Sequence, residues 1–309
     1  MSSGSRLLLL GLLGSGKTSY LAALWHLIEA GDIASSLKAT ILQPNREYLN
    51  RIRDSWLKFQ EVGRTSLQTQ ETISLCLEDT ETSSSVDITL PDLSGESLRL
   101  QWAMRKATTH YAQFAREACG VLLFIHPGDV KKMPLVSPSN DMELGVEKLQ
   151  SESTTPPPNY RENENTQEVK SWSPELTPTQ VQLVELLQFV NWLRPVSQSF
   201  RVAVIVSAWD TVQQELAPVS WIESRLPLLF QYLVANAEVV PFQTYGVSAL
   251  GGSLTKDLAR LQKETLPSRR IQVVDQDLNR HHDLAAPLRF LLAMDGNKLD
   301  AAERQPGHG

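Results

Sequence analysis

Short apolar runs alternate with stretches of helical period along most of this 309-residue chain. Leu7 to Leu10 is uninterrupted and apolar, as a strand buried on both faces of a parallel sheet requires. Lys17 to Ala30 follows in helical period, with Leu21, Leu24, Trp25 and Ile28 on one stripe and Gly31 as C-cap. Asn45 to Val62 repeats that period through Leu49, Ile52, Trp56, Leu57 and Phe59, and Gly63 is expected to end it. Thr72 to Leu77 and Val86 to Leu90 instead alternate apolar with polar residues. The polar link between them predicts an antiparallel hairpin. Ser97 to Ala118 reads as one long, mostly helical stretch, and Val121 to Ile125 as another buried strand.

The pattern stops between Asp129 and Gln180. This stretch holds seven of the seventeen prolines and carries nine acids against five bases. Such a composition predicts a solvated insertion without a core of its own. Periodicity resumes with a helix over Thr179 to Leu193, a strand over Val202 to Val206, a helix over Trp221 to Leu233 despite Pro227, a strand over Phe242 to Val247 and a closing helix over Leu284 to Ala293. The expected fold class is α/β, a mainly parallel sheet with one antiparallel strand and helices on both faces. Residues 1–295 form one expected domain that carries 129–180 as an insertion, and 296–309 reads as a flexible tail.

A formal net charge of -6 speaks against a nucleic-acid binder, which needs a basic face. The two cysteines, Cys76 and Cys119, have no second Cys at metal-ligand spacing, and a reducing cytosol suits them. Arg6 and the leucines after it imitate a leader, but Gly11 interrupts the run. No stretch approaches the roughly 20 apolar residues that span a bilayer. These features together predict a soluble, cytoplasmic protein.

The strongest chemical signal is Gly11-Leu12-Leu13-Gly14-Ser15-Gly16-Lys17-Thr18, which satisfies G-x-x-x-x-G-K-[ST] between a predicted strand and a predicted helix. Glycines bring backbone N–H groups close to phosphates, and the helix N-terminus adds its positive dipole end. The expected phosphate-contacting set is Leu13, Gly14, Ser15, Gly16, Lys17, Thr18 and Ser19. Within it Lys17 reaches the β- and γ-phosphates and the Thr18 hydroxyl ligates Mg²⁺. Asp92 leaves a predicted strand beside this loop, where a second Mg²⁺ contact through water is expected. With Gly95 it forms D-x-x-G, whose glycine N–H senses the γ-phosphate.

In these motifs the chain resembles the Ras-like P-loop GTPases of the translation-factor-related class, over most of residues 5 to 295 outside the insertion. It is most similar there to the prokaryotic double-GTPase family. That likeness rests on the helix from Asn45, on Ser207-Ala208-Trp209-Asp210 and on the ending Asp283 to Leu288. The resemblance implies GTP/GDP as nucleotide, Mg²⁺ as cofactor and a molecular switch. Its partner would be a second GTPase or an effector protein, in a bacterial signalling or conflict system. It also implies a base-reading role for Asp210, with Ser207 in place of Asn, Ala208 in place of Lys and Trp209 between them. Ser248-Ala249-Leu250 would be the second base loop, with the Ala249 N–H donating to the guanine carbonyl. A plain helix N-cap is the other reading of Asp210. Thr69, or else Thr65, is the expected switch threonine on Mg²⁺. Glu96 follows Gly95 where many relatives carry a Gln that orients water, so slow intrinsic hydrolysis is expected. An ATPase or nucleotide kinase, or a nucleotide-locked scaffold, are the alternative functions.

Weaker candidates have plainer readings. His281, His282 and Asp283 suit a solvated helix start better than a metal site. His126 suits a satisfied loop histidine, and Trp102, Trp192 and Trp221 core or interface positions.

Overall fold

The computed structural model describes residues 5–40, 45–60, 72–81, 85–91, 95–131, 176–195, 200–212 and 216–293, with side chains 85–87, 91, 95–97 and 99 left out. The chain falls into two units, Met1–Val130 with Thr179–Gly309, and Lys131–Pro178. Every described strand belongs to the first unit.

Nine described strands form one sheet in the order β2-β3-β4-β1-β5-β6-β7-β8-β9. They are β1 (Ser5–Leu10), β2 (Leu37–Ala39), β3 (Thr72–Asp79), β4 (Ser85–Pro91), β5 (Ala118–Ile125), β6 (Arg201–Val206), β7 (Phe242–Ser248), β8 (Gln272–Val274) and β9 (Arg280–His281). From β4 through β1, β5 and β6 to β7 every pairing is parallel. The expected hairpin is present, with β3 antiparallel to β4. Beyond the one antiparallel strand expected, the short β8 also runs against its neighbours. β2, β8 and β9 have two or three residues each, too few for any period to show.

Alternation along the central strands builds two cores. Leu7 and Leu9 of β1, Leu122 and Phe124 of β5, and Ala203 and Ile205 of β6 point to one face. There they meet α1 (Lys17–Ala30), α2 (Arg46–Leu57) and the closing helix, Ala286–Leu292. Leu8, Leu10, Val121, Leu123, Val202 and Val204 point to the other. There they meet α3 (Gly95–Met104), α4 (Thr109–Glu117), α5 (Thr179–Leu193), α6 (Pro218–Arg225) and α7 (Pro227–Ala235). A strand covered on both faces must be apolar at every position, which is why Leu7 to Leu10 is unbroken.

Three expected helices differ in extent. α2 stops at Leu57 because Phe59 takes a left-handed φ of 58° and the Gln60 N–H turns back to the Ser55 carbonyl. The expected stop, Gly63, lies outside the described residues. The stretch 97–118 is two helices. Arg105 has a φ of 50°, and the Thr108 hydroxyl caps α4 by accepting from the Tyr111 N–H at 3.2 Å. The apolar period runs on because both helices face the same core. Pro227 splits the next pair by pushing Leu226 out of helical space (φ -136°), and then serves as the first residue of α7.

Cys76 and Cys119 are free thiols. Trp102 and Trp221 are buried, whereas Trp192 is 78% exposed and stacks on Phe189 at 6.3 Å. Among the described residues no helix is long and apolar enough to cross a membrane.

Tyr20 of α1 ties the closing segment to the first core. Its ring meets Phe124 edge-on at 5.2 Å and its hydroxyl donates to the Leu284 carbonyl at 2.6 Å. Burial pushes the phenol well above its usual pKa, so it remains a donor. Tyr20→Phe leaves that carbonyl without its donor and is expected to cost about 1–3 kcal/mol in urea unfolding without nucleotide, at unchanged m. A loss below about 0.5 kcal/mol would mean that water replaces the hydroxyl.

Candidate functional site

The glycine-rich loop joins β1 to α1 at the C-terminal edge of the sheet, where strand order reverses about β1. Open α/β sheets hold ligands at such switch points. Gly11, Gly14 and Gly16 have φ of 150°, 76° and 92°, a range that side chains disfavour. Space forbids a side chain as well. A Cβ on Gly11 would lie 2.8 Å from the Phe124 carbonyl oxygen, and one on Gly16 3.0 Å from the Ser207 Cβ. α1 begins with no side-chain cap and no acid in its first turn, which leaves its N-terminal N–H groups to an anion.

Lys17 is folded over this loop. Its Nζ donates to the Gly11 carbonyl at 2.7 Å, the Leu12 carbonyl at 3.1 Å and the Ser15 hydroxyl at 3.1 Å. These bonds hold the ammonium over the loop. Ser15 is buried, and Leu13 stands 51% exposed at the loop tip. Thr18 and Ser19 occupy the first turn of α1.

The end of β6 leads to the second part. Ser207 donates its N–H at 2.9 Å and its hydroxyl at 3.2 Å to the Ile125 carbonyl, bracing β6 on β5. Ala208 then takes a left-handed φ of 45°, and Trp209–Thr211 form one 3-10 turn. The Trp209 side chain belongs to the second core, only 3% exposed, and not to the cleft where its motif position put it. β7 makes room for it: a Cβ on Gly246 would lie 2.3–2.6 Å from the indole ring. Burying Trp209 leaves Asp210 at the surface of the turn.

Asp210 is not a helix N-cap, since Ala208 holds that position. Its Oδ1 accepts a hydrogen bond from the Ser248 hydroxyl at the end of β7. The same hydroxyl accepts from the Gly251 N–H at 3.0 Å. A carboxylate, a hydroxyl and a backbone amide thus form one chain across two loops that sequence order keeps 38 residues apart.

One cleft of about 350 Å³ unites these parts. Gly14, Gly16 and Ser19 line it from the loop side, Ser207, Ala208 and Asp210 from the β6 turn, and Ser248, Ala249 and Leu250 from the β7 turn. His126 lines it too, and its Nδ1 accepts from the Gly128 N–H at 3.1 Å. In the neutral ring that puts the proton on Nε2.

Thr65, Thr69 and Asp92 lie outside the described residues. Gly95 and Glu96 open α3, and the Glu96 side chain is one of those left out. Of the expected Mg²⁺ ligands, only Thr18 is described. Among the described residues no group of three His, Cys, Asp or Glu could hold a metal. His281, His282 and Asp283 are structural. The His282 Nδ1 meets the Ile271 carbonyl at 2.5 Å, and the Asp283 carboxylate accepts from the Ser35 hydroxyl, the Ser36 N–H and the Ala285 N–H at 2.8–2.9 Å.

Two residues that hold the turn after β7, without lining the cleft, carry no motif in the sequence. Gly251 has a φ of 81° and abuts the Arg270 carbonyl. Trp56 donates from its indole N–H to the Ala249 carbonyl at 3.0 Å. The Gly251-Gly252 pair is a turn signal in the sequence; Trp56 reads there only as a core position.

A model of the family described as Double-GTPase 1 matches residues 8–291. No curated protein matches the chain. Among solved structures, the chain is similar to the signal recognition particle receptor SRb-GTP/SRX complex from Chaetomium thermophilum. That match has 13% identity and a TM-score of 0.40, and covers 82% of this chain and 94% of that one. It is also similar to the bacterial selenocysteine-specific elongation factor EF-Sec, at 12% identity and a TM-score of 0.35, with 84% of this chain covered. A third is the S. cerevisiae Ski7 GTPase-like domain bound to GTP, at 15% identity and a TM-score of 0.35, with 81% of this chain covered. The chain spans 28% of the elongation factor's length and 44% of the Ski7 chain.

Proposed function

The chain belongs to the Double-GTPase 1 family, a family of GTP-binding proteins with a P-loop fold, and on that premise we propose that it hydrolyses GTP to GDP and phosphate in this cleft and works as a molecular switch. The observation that carries the reading is the pairing of Asp210 with Ser248 in the same cleft as Gly14 and Gly16. Guanine presents an imino and an amino donor on one edge and a carbonyl acceptor beside them. A carboxylate held by Ser248, next to the backbone N–H of Ala249, complements that edge. Adenine would leave the same groups unpaired.

In the proposed reaction the chain positions and neutralises. Lys17 and the N-terminal amides of α1 bear on the phosphates, and positive charge there stabilises the transferring phosphoryl group. Mg²⁺ would sit on Thr18, with Asp92 and Thr69 as further ligands, and would neutralise charge between the β- and γ-phosphates. Gly95 would donate its N–H to the γ-phosphate. Glu96 beside that phosphate repels it, so intrinsic turnover is slow and a partner, a second GTPase or an effector, accelerates it. Release of phosphate would free Thr69 and residues 92–95, which would be the switch. We place this activity in the cytoplasm, in one domain over residues 1–295 that carries 129–180 as an insertion.

Titration calorimetry with GTP and ATP, with Mg²⁺, tests the reading. The wild type is expected to prefer GTP by at least about 100-fold, and Asp210→Ala to reduce that ratio below about 10. Equal binding of the two nucleotides by the wild type would discard guanine reading and favour an ATPase or nucleotide kinase, which the missing Asn and Lys at Ser207 and Ala208 would suit.

A further inference from the structure

The turn after β7 is held from behind by an aromatic stack. Trp56 is fully buried in the last turn of α2. Its indole N–H reaches the Ala249 carbonyl at 3.0 Å, across 193 residues of sequence. The Arg270 guanidinium lies over the Trp56 ring at 4.6 Å and over Phe59 at 4.5 Å, and the His26 ring packs beside the indole at 5.2 Å. Burial draws the His26 pKa down, so a neutral ring meets the indole at neutral pH. Packing on three elements leaves the indole no freedom to follow the carbonyl if the turn moves. The turn must follow the indole.

Peptide geometry turns this restraint into a direction. In a trans peptide the C=O and the N–H point opposite ways. Holding the Ala249 carbonyl toward Trp56 therefore points the Leu250 N–H away from it and fixes the ψ of Ala249. Both residues line the cleft. Without the indole donor, the peptide could rotate and present its carbonyl oxygen to the cleft. That oxygen would repel a 6-oxo group and accept from a 6-amino group.

We infer that Trp56 is a positioning residue for base selectivity: its hold on the Ala249 carbonyl keeps the Leu250 backbone N–H, next to that of Ala249, aimed at the 6-oxo group of a purine. The inference rests on the guanine-nucleotide reading proposed above, and it adds a residue on a distant helix to the selectivity machinery.

The test removes the donor and keeps an aromatic ring at position 56. Affinities of wild type and Trp56→Phe are compared for GTP, for inosine triphosphate, which keeps the 6-oxo group, and for 2-aminopurine riboside triphosphate, which lacks it. Trp56→Phe is expected to weaken the first two about 10-fold and to leave the third unchanged. An equal loss for all three would show a merely structural role and overturn the inference, as would no loss for any. If Trp56→Phe does not fold, replacing the indole at position 56 by benzothiophene removes the N–H at nearly constant shape and must give the same pattern. The two readings fail separately. A wild type with no preference for GTP over ATP overturns both. A wild type whose preference is lost in Asp210→Ala but untouched in Trp56→Phe overturns this inference alone.

Discussion

Lys17→Ala is expected to weaken GTP binding by about 10²- to 10⁴-fold, because two charge-assisted hydrogen bonds to phosphate are worth about 1.5–3 kcal/mol each. Among the described residues that line the cleft there is no Lys or Arg to compensate. The ammonium is fixed over the loop by the Gly11 and Leu12 carbonyls and the Ser15 hydroxyl. α1 carries no acid in its first turn, where Lys17 is the one charged residue. Gly11 and Ser15 are buried but Leu12 and Lys17 are partly exposed, and removing the Lys17 side chain opens the loop oxygens to water. Stability without nucleotide should therefore change by less than about 1 kcal/mol. Calorimetric titration with GTP and a urea curve on the free protein give both readouts. An affinity within threefold of the wild type would place the phosphates somewhere other than this loop.

The contrast between Lys17 and Trp56 shows what a sequence can carry. The glycine-rich loop is contiguous, so residues 11–18 and the strand and helix around them were legible together. Alternation in β3 and β4 made the hairpin legible, and unbroken apolar runs did the same for β1, β5 and β6. Asp210 and Ser248 were legible by position, each following a buried strand. Their hydrogen bond was not, because nothing in either segment refers to the other. Trp56 and Ala249 are separated by 193 residues, and an indole on an apolar helix stripe looks like any core residue. Trp209 went the other way. Its place inside a motif suggested contact with a ligand, yet the open backbone at Gly246 draws the ring into the core. Helix breaks at Arg105 and Leu226 were hidden for a related reason. The apolar period reports which face is buried, and that face stays the same across a break.

Gly251→Ala should damage the turn after β7 more than Gly252→Ala does. Gly251 has a φ of 81°, where a Cβ is strained, and that Cβ would lie 2.1 Å from the Arg270 carbonyl oxygen and 2.9 Å from its carbon. A backbone carbonyl cannot swing aside as a side chain can. Arg270 is in addition held by its guanidinium, stacked on Trp56 and Phe59. The strain therefore moves the 248–252 turn instead. That turn carries the Gly251 N–H bond to the Ser248 hydroxyl and, through it, the grip on Asp210. Left-handed strain and overpacking together are expected to cost about 2–4 kcal/mol of stability. Losing the aim of Asp210 should weaken GTP at least about 10-fold more than ATP. The neighbouring glycine supplies the control. A Cβ on Gly252 would meet the ends of the Arg260 and Asp257 side chains at 2.6 Å and 2.9 Å and the Asp257 Cβ at 3.0 Å; the ends can shift, but at the expense of the Arg260 bond to the Gly251 carbonyl and the Ser253 N–H bond to Asp257. Gly252→Ala should therefore cost about 1–2 kcal/mol, less than Gly251→Ala, and change the GTP to ATP ratio less than Gly251→Ala does. Urea unfolding and paired titrations of both variants decide it. Equal behaviour of the two alanines would mean that the Arg270 segment yields, and that the turn is not braced from that side.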